Sequence, residues 1–492
     1  MGSMLSDWYF YRKEPPRRPD RTHPFSQTGG DKASAPGVGL TRMSLVAESR
    51  LTLKLAFPLM IGQVSQMLLG VADTMMVGRL GVTEMAVLTF ANSLFYVPFV
   101  FGIGILTSVS VFTAGAKGAG DEAAGRASCR HGLYVATILG VLLLVLMSLL
   151  TLNLGAFGQP QEVAEKTGGY FRIIMASLVP GLMSMALKNH ADALGRPWPP
   201  FWIFLGGVAL NVFLNWVMIF GKLGCPALGL EGAAWATFIS RTAILIGMFV
   251  WLYRGKGMRE WIPFHWFRPP VLSEIRRFLG IGFPASLQMV SEVSAFSFAG
   301  LMMGRFGETA MAAHQVALMC AATAFMVPLG LSMALGVRLG SAKGAGREES
   351  LRKIVISGWW LGVVWSAIGA LFFLLAGTWV SSLFISEAPV IALAAKILVV
   401  VGVFQIFDSL QVCSVSMLRS LHDARIPALM GFFAYWIVGL PVAVLLAMSF
   451  DFGAVGVWCG LAVGLFIASI TLGPRLWKMT VPKAATARPA QA

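Results

Sequence analysis

The sequence predicts an all-α integral membrane protein of twelve transmembrane helices, arranged as two six-helix lobes in a parallel pseudo-two-fold repeat. Composition gives the first half of that statement. Of 492 residues, 57% are hydrophobic and 12% charged, where soluble domains carry roughly a quarter charged residues, and the mean hydropathy is +0.73. So little charge could not cover a water-facing surface. Self-similarity gives the second half. Shifted by 226 residues, Met76 to Gly120 aligns without a gap on Met302 to Gly346, and 16 of the 45 positions are identical. They include Gly78-Arg79-x-Gly81 against Gly304-Arg305-x-Gly307, and Ala116-Lys-Gly-Ala-Gly120 against Ala342-Lys-Gly-Ala-Gly346. A period this long is not that of a solenoid. It marks a duplicated half.

Residues 1–48 are polar, Pro-rich and basic, without an apolar run, and are expected to form a disordered cytoplasmic tail. Met43 is a plausible alternative start, which would make residues 1–42 dispensable. Six apolar stretches follow at 53–78, 85–110, 132–155, 167–187, 198–220 and 231–253. Six more lie at 279–304, 310–336, 354–376, 389–418, 427–449 and 454–476. Each is long enough to cross about 30 Å of hydrocarbon at about 1.5 Å per residue. Six is even, so the second half enters the membrane in the direction of the first. That makes the repeat parallel, with its axis along the membrane normal and a substrate path between the halves near the midplane. The expected units are an N-terminal lobe, 49–253, a cytoplasmic linker, 254–277, a C-terminal lobe, 278–478, and a cytoplasmic tail, 479–492. The linker carries Trp261, His265, Trp266 and Phe267 among six basic residues, a composition suited to the membrane interface as well as to a plain tether.

The net charge of +15 invites a nucleic-acid partner, but most of the basic residues fall in the tails and in alternate loops. That is the positive-inside pattern; it puts both termini in the cytoplasm and the chain in the plasma (inner) membrane. The basicity is topological, with anionic lipid headgroups as its partner. The five cysteines are scattered and the six histidines show no ligand spacing. The Gly-Ala-Lys-Gly-Ala-Gly loops lack the spacing of a phosphate cradle and read as tight turns, and no H-E-x-x-H or G-x-S-x-G pattern points to an enzyme. No cofactor is expected.

Function is to be sought in ionisable residues inside spans, where each costs several kcal/mol. Asp73 continues a helical stripe of Gln63, Gln66 and Gly70. Glu292 lies twelve residues before Gly304, about 18 Å from the far end of its helix, with Gln288 one turn below and Ser291 beside it. Asp408, flanked by Gln405 and Gln411, comes eleven residues before Arg419, which marks a cytoplasmic helix end. Two carboxylates in one half can share a proton or a hard cation. In the first half Asn211 and Asn215, one turn apart, offer amide oxygens to complete a site with Asp73, or else pack helices. Arg241, with Arg172, is the expected deeply placed cation.

Val71-Ala-Asp-Thr-Met-Met-Val-Gly78, Leu210-Asn-Val-Phe-Leu-Asn-Trp216, Ala312-Ala-His-Gln315 and Phe325-Met-Val-Pro-Leu-Gly330 together resemble the multidrug and toxic compound extrusion (MATE) family, NorM-like branch, from about Leu51 to Lys478. The resemblance implies an antiporter that exports organic cations, such as drugs and dyes, in exchange for Na+ or H+. It implies an N-lobe site at Asp73 with Asn211 and Asn215, and a C-lobe cation site at Glu292 and Asp408, where Na+ would sit. Gln405 and Gln411 match the family pattern, and His314 matches a structural position. The twelve-helix unit looks self-sufficient as a monomer. A lipid-linked saccharide flippase of related architecture is the alternative; it would need Arg and Lys in its cavity to hold a pyrophosphate.

Overall fold

The computed structural model describes residues 44–152, 154, 158 and 160–481. Most of the expected N-terminal tail and of the C-terminal tail lies outside the described residues. Among those described, all regular structure is helical. The first half consists of α1 (Leu45–Val77), α2 (Val82–Ala119), α3 (Glu122–Leu150), α4 (Gln161–Ala193, interrupted at Ser177), α5 (Trp198–Phe220) and α6 (Gly229–Arg254). The second consists of α7 (Leu272–Met303), α8 (Glu308–Gly344), α9 (Glu348–Ser382), α10 (Ala388–Ser420), α11 (Arg425–Ser449) and α12 (Gly453–Met479). Eleven of these are long and apolar enough to cross a bilayer. The other, α7, has the length but carries Ser286, Gln288, Ser291, Glu292, Ser294 and Ser297 in its middle turns. Adding 226 to the helix starts of the first half gives 271, 308, 348, 387, 424 and 455, each within two residues of the observed second-half start. Pro58 in α1 falls on Pro284 in α7. The duplication therefore covers all six helices, well beyond the aligned stretch.

Several helices run past the apolar stretches, because a helix can continue where the hydrocarbon ends. α1 begins at Leu45, capped by the Ser44 hydroxyl, which accepts from Ala47 N at 3.2 Å; residues 45–48, expected in the tail, are helical. The linker is shorter than expected for the same reason, since α7 starts at Leu272 with Glu274 in its first turn, where the helix dipole favours an acid. Nor is the linker a plain tether. Arg126 donates to the Glu260 carbonyl at 2.6 Å and stacks over Phe264, and Tyr134 donates to the carbonyls of Trp266 and Arg268 at 3.1 Å. His131 Nε2 accepts from Val271 N at 3.3 Å. The linker is thus strapped to α3, while Phe264 and Phe267 remain exposed.

The halves meet along crossed pairs: α1 packs on α8, and α2 on α7 and α8, whereas α1 touches α2 little and α7 touches α8 little. The meeting surface is built from small residues, as close helix approach in lipid requires. A Cβ on Gly104 would fall 2.4 Å from Ser286 Cα, one on Gly282 2.5 Å from the Ile105 carbonyl oxygen, and one on Gly118 2.0 Å from that of Ser341. Gly330 approaches the Met60 backbone as closely. Every one of these points lies in the halves of the helices nearer the N-terminal tail. There Arg338 of α8 donates to the Glu48 carbonyl at 2.7 Å and also bonds the Glu48 carboxylate and the Thr52 hydroxyl of α1. Among the described residues, the cross-half hydrogen bond farthest from the tail runs from Thr323 to Met67 sulfur at 3.8 Å. The molecule is closed on its tail side.

Two neighbouring glycines of α7 test this seam. Gly282→Val is expected to lower the melting temperature in detergent through overpacking worth about 1–3 kcal/mol. Gly280→Ala, where a Cβ meets nothing within 4 Å, is expected to be neutral or stabilising by up to about 1 kcal/mol. Equal losses would show that the close approach at Gly282 is not a constraint.

Candidate functional site: buried carboxylates in each half

In the first half, the break in α4 places Ser177 beside α6. Pro180 supplies no N–H to the preceding turn, which opens the helix there. Arg241 of α6 donates to Ser177 Oγ at 2.8 Å and lies over the rings of Phe95 and Phe99, 5.2 and 5.6 Å from their centroids. Its charge interacts with Asp73 and with the buried Tyr170. Asp73 is half-buried, and its Oδ1 accepts from Asn215 Nδ2 at 2.5 Å. The same amide group donates to Asn211 Oδ1 at 3.1 Å, and Asn211 donates to Thr237 Oγ1 at 3.3 Å. Asp73, Asn211 and Asn215 therefore come together, with one correction to the expected chemistry. The amide next to Asp73 gives its N–H rather than its oxygen, and Asn215 Oδ1 is left buried without a partner among the described residues. Gln66 does not join them; it lines a small cavity with Ser65, Lys188 and Phe201, its Nε2 unpartnered.

In the second half, Glu292 and Asp408 approach within charge–charge range of each other, from α7 and α10. Tyr435 stands against both. It sits in a π-helical stretch of α11, Phe433–Gly439, where the register is widened, a feature that recurs at functional sites; the equivalent α5 is a regular α-helix. Asp408 Oδ1 is buried without a hydrogen-bond partner among the described residues, as is Ser291 Oγ on the turn of Glu292, and the Tyr435 hydroxyl faces Glu292. Oxygen atoms around two carboxylates form a donor set for a proton or a hard cation. Gln288 is pinned by Gly431 of α11, where an added Cβ would meet its Cγ at 3.3 Å. Gln405 instead donates to the Ala321 carbonyl at 3.0 Å, tying α10 to α8, and Gln411 is buried on the same helix. His314 accepts from Trp458 Nε1 at 3.2 Å among packed rings.

The cations depart furthest from expectation. Arg172 is exposed and bonds its own helix. Arg419, expected at a helix end in the cytoplasm, is buried; its Nη2 donates to Gln288 Oε1 at 2.9 Å and its charge interacts with Glu292. Lys188 and Asp192 form a buried pair at 2.7 Å on α4, and Arg338 is largely enclosed by Glu48. Tyr170, Tyr435 and Thr237 were not among the expected site residues. A tyrosine within an otherwise apolar span was the signal available for the first two.

Helices with this arrangement, two parallel lobes with carboxylates sunk in each, define a multi-pass membrane transporter. Residues 58–217 and 284–445 match the MatE family in two blocks, whose starts are again 226 apart, and the chain belongs to that family. It is 34% identical over 438 residues to the probable multidrug resistance protein NorM of Rhizobium meliloti, covering 87% of this chain and 93% of that protein. It is likewise 34% identical over 449 residues to the multidrug resistance protein NorM of Burkholderia vietnamiensis, covering 89% of this chain and 96% of that one. Among solved structures, a mutant of a Vibrio cholerae MATE transporter superposes with a TM-score of 0.81 at 22% identity, over 88% of this chain and 97% of that one. A eukaryotic MATE transporter gives 0.80 at 22% identity, over 89% and 98%.

The bond to Asp73 is open to direct test. Asn215→Leu removes the donor and leaves a carboxylate without its partner, at a cost of about 1–3 kcal/mol. A lower melting temperature with reduced efflux is expected, and Asn215→Gln should recover part of both. A variant indistinguishable from the parent would remove Asn215 from the site.

Proposed function

We propose that this protein is a multidrug efflux antiporter that exports organic cations in exchange for Na+ or H+ by alternating access. The observation carrying the reading is the placing of a carboxylate within the spans of each half, together with a seam closely packed on the tail side. Carboxylates attract a cation of either kind, so substrate and coupling ion compete for them, and binding either one neutralises the site. The names of the relatives, multidrug resistance proteins, agree with this. The positive-inside pattern supports a cytoplasmic tail side, so the structure is read as facing outward, toward an incoming ion. A monovalent cation entering down 100 mV releases about 2.3 kcal/mol. With the seam closed, the path runs between the far-side halves of α1, α2, α7 and α8. An open groove of about 700 Å³ lies along α2 from Gly78 to Ser93. Such a unit would work as a monomer in the inner membrane, with lipid around it.

Reconstituted protein loaded with ethidium is expected to move the dye under an imposed sodium gradient at equal pH, or under a pH gradient without sodium; the gradient that works identifies the ion. Asp73→Asn, Glu292→Gln and Asp408→Asn are each expected to lose at least about tenfold in gradient-driven efflux while remaining folded. Silence under both gradients would favour the flippase reading. Parental rates in Glu292→Gln would show that the second-half site is wrongly placed.

A further inference from the structure

Each half holds a guanidinium on the tail side of its carboxylate, Arg419 buried and Arg241 half-buried. Arg419 leaves the last turn of α10, eleven residues tailward of Asp408, so about 16 Å along the axis and nearly on the same face. Its guanidinium bonds Gln288, one turn tailward of Glu292 on α7. Arg241 lies twelve residues into α6 from its far-side start at Gly229, about 18 Å deep, while Asp73 is five residues below Gly78, about 8 Å deep. Its hydroxyl partner, Ser177, is midway along α4.

These two placements were not inherited from the duplication. The 226-residue shift carries Arg241 onto Ile467, and Arg419 back onto Ala193. Nor do the carboxylates correspond: Asp73 falls on Ala299, and Glu292 on Gln66. Two unrelated sets of positions have reached one order from the far side inward, carboxylate and then guanidinium. A charge at this depth is expensive, and Arg keeps its charge when buried, as Lys need not. Neither guanidinium is tied into a full ion pair by hydrogen bonds; Arg419 Nε has no partner among the described residues.

We propose that Arg419 and Arg241 are fixed positive barriers that close the tail side of the two carboxylate sites to the coupling cation. The proposal rests on the antiport reading above and adds its directionality. A cation drawn from the far side to Glu292 and Asp408 meets a like charge on the way onward, so it cannot cross while the seam is closed. Release requires the helices themselves to move. The guanidinium also offsets part of the carboxylate charge while the site is empty.

The test is cation influx without substrate. Vesicles holding the full-length protein take up radiolabelled sodium, or in a parallel set acidify an internal pH dye, with no organic cation present. Arg419→Gln is expected to raise influx about tenfold, equivalent to about 1.4 kcal/mol of barrier. Arg419→Lys, assayed at pH 6 where the protonated ammonium is favoured, is expected to slow efflux yet stay several-fold tighter than the Gln variant. A tight Arg419→Gln would overturn the barrier; equal leaks in Gln and Lys would make the role one of packing. If Arg419→Gln does not fold, Arg241→Gln carries the same test in the other half, and tightness there overturns it. Failure of the underlying reading looks different, since the parent itself would then move no ethidium under either gradient.

Discussion

The cost of an unpaired charge in hydrocarbon shapes this molecule more than any single packing contact. An isolated carboxylate or guanidinium within a span is expensive, and each one here is therefore answered by a group on another helix or another turn. Asp73 is answered by Asn215, Arg338 by Glu48, Arg419 by Gln288 and Lys188 by Asp192. The answers are incomplete at several points among the described residues, with Asn215 Oδ1, Asp408 Oδ1, Asp192 Oδ1 and Arg419 Nε left without a partner. Buried polar atoms without partners are rare in native folds. Those at Asn215, Ser291 and Asp408 lie next to or on the site carboxylates, which sets these positions apart from mere helix-to-helix glue.

The duplication supplies the frame and then departs from it where chemistry is needed. Helix starts repeat within two residues, and so do Pro58 and Pro284, yet none of the site carboxylates Asp73, Glu292 and Asp408 has its counterpart in the other half. The first half breaks α4 at Ser177 where the second has a continuous α10; the second widens α11 where the first has a regular α5. Each irregularity brings one side chain to the local charge: Ser177 to Arg241, and Tyr435 to Glu292. Symmetric backbones thus enclose asymmetric interiors.

The frame was legible in the sequence because apolar length and a fixed offset are long-range, additive signals. Asp73, Glu292 and Asp408 were legible because a charge inside an apolar run stands out on its own. Arg419, Lys188 and Arg338 were not, since they sit at the ends of runs, where a basic residue reads as a loop. Only the packing of another helix decides whether such a residue faces water. Arg419 is drawn inward by Gln288, and Arg338 by Glu48, from 131 and 290 positions away in sequence. The polarity of the Asn215 bond was hidden for a similar reason: an amide offers donor and acceptor alike, and its neighbours choose between them.

Under the alternating access proposed above, the tail-side seam would have to be tight enough to seal and weak enough to part. Glycine contacts meet both demands. They allow close backbone approach and wide van der Waals contact, but they contribute no hydrophobic driving force between helices already surrounded by lipid. Glu48 and Arg338 add a polar clasp at the outermost turn of that seam, where parting would return both groups toward water and headgroups rather than hydrocarbon. A buried pair is costly to break when one partner is deleted in place, but far less so when both are rehydrated together. Clasp and glycines share that rim, since Gly118 meets Ser341 three residues tailward of Arg338 on α8, so the polar and the glycine contacts would have to part together.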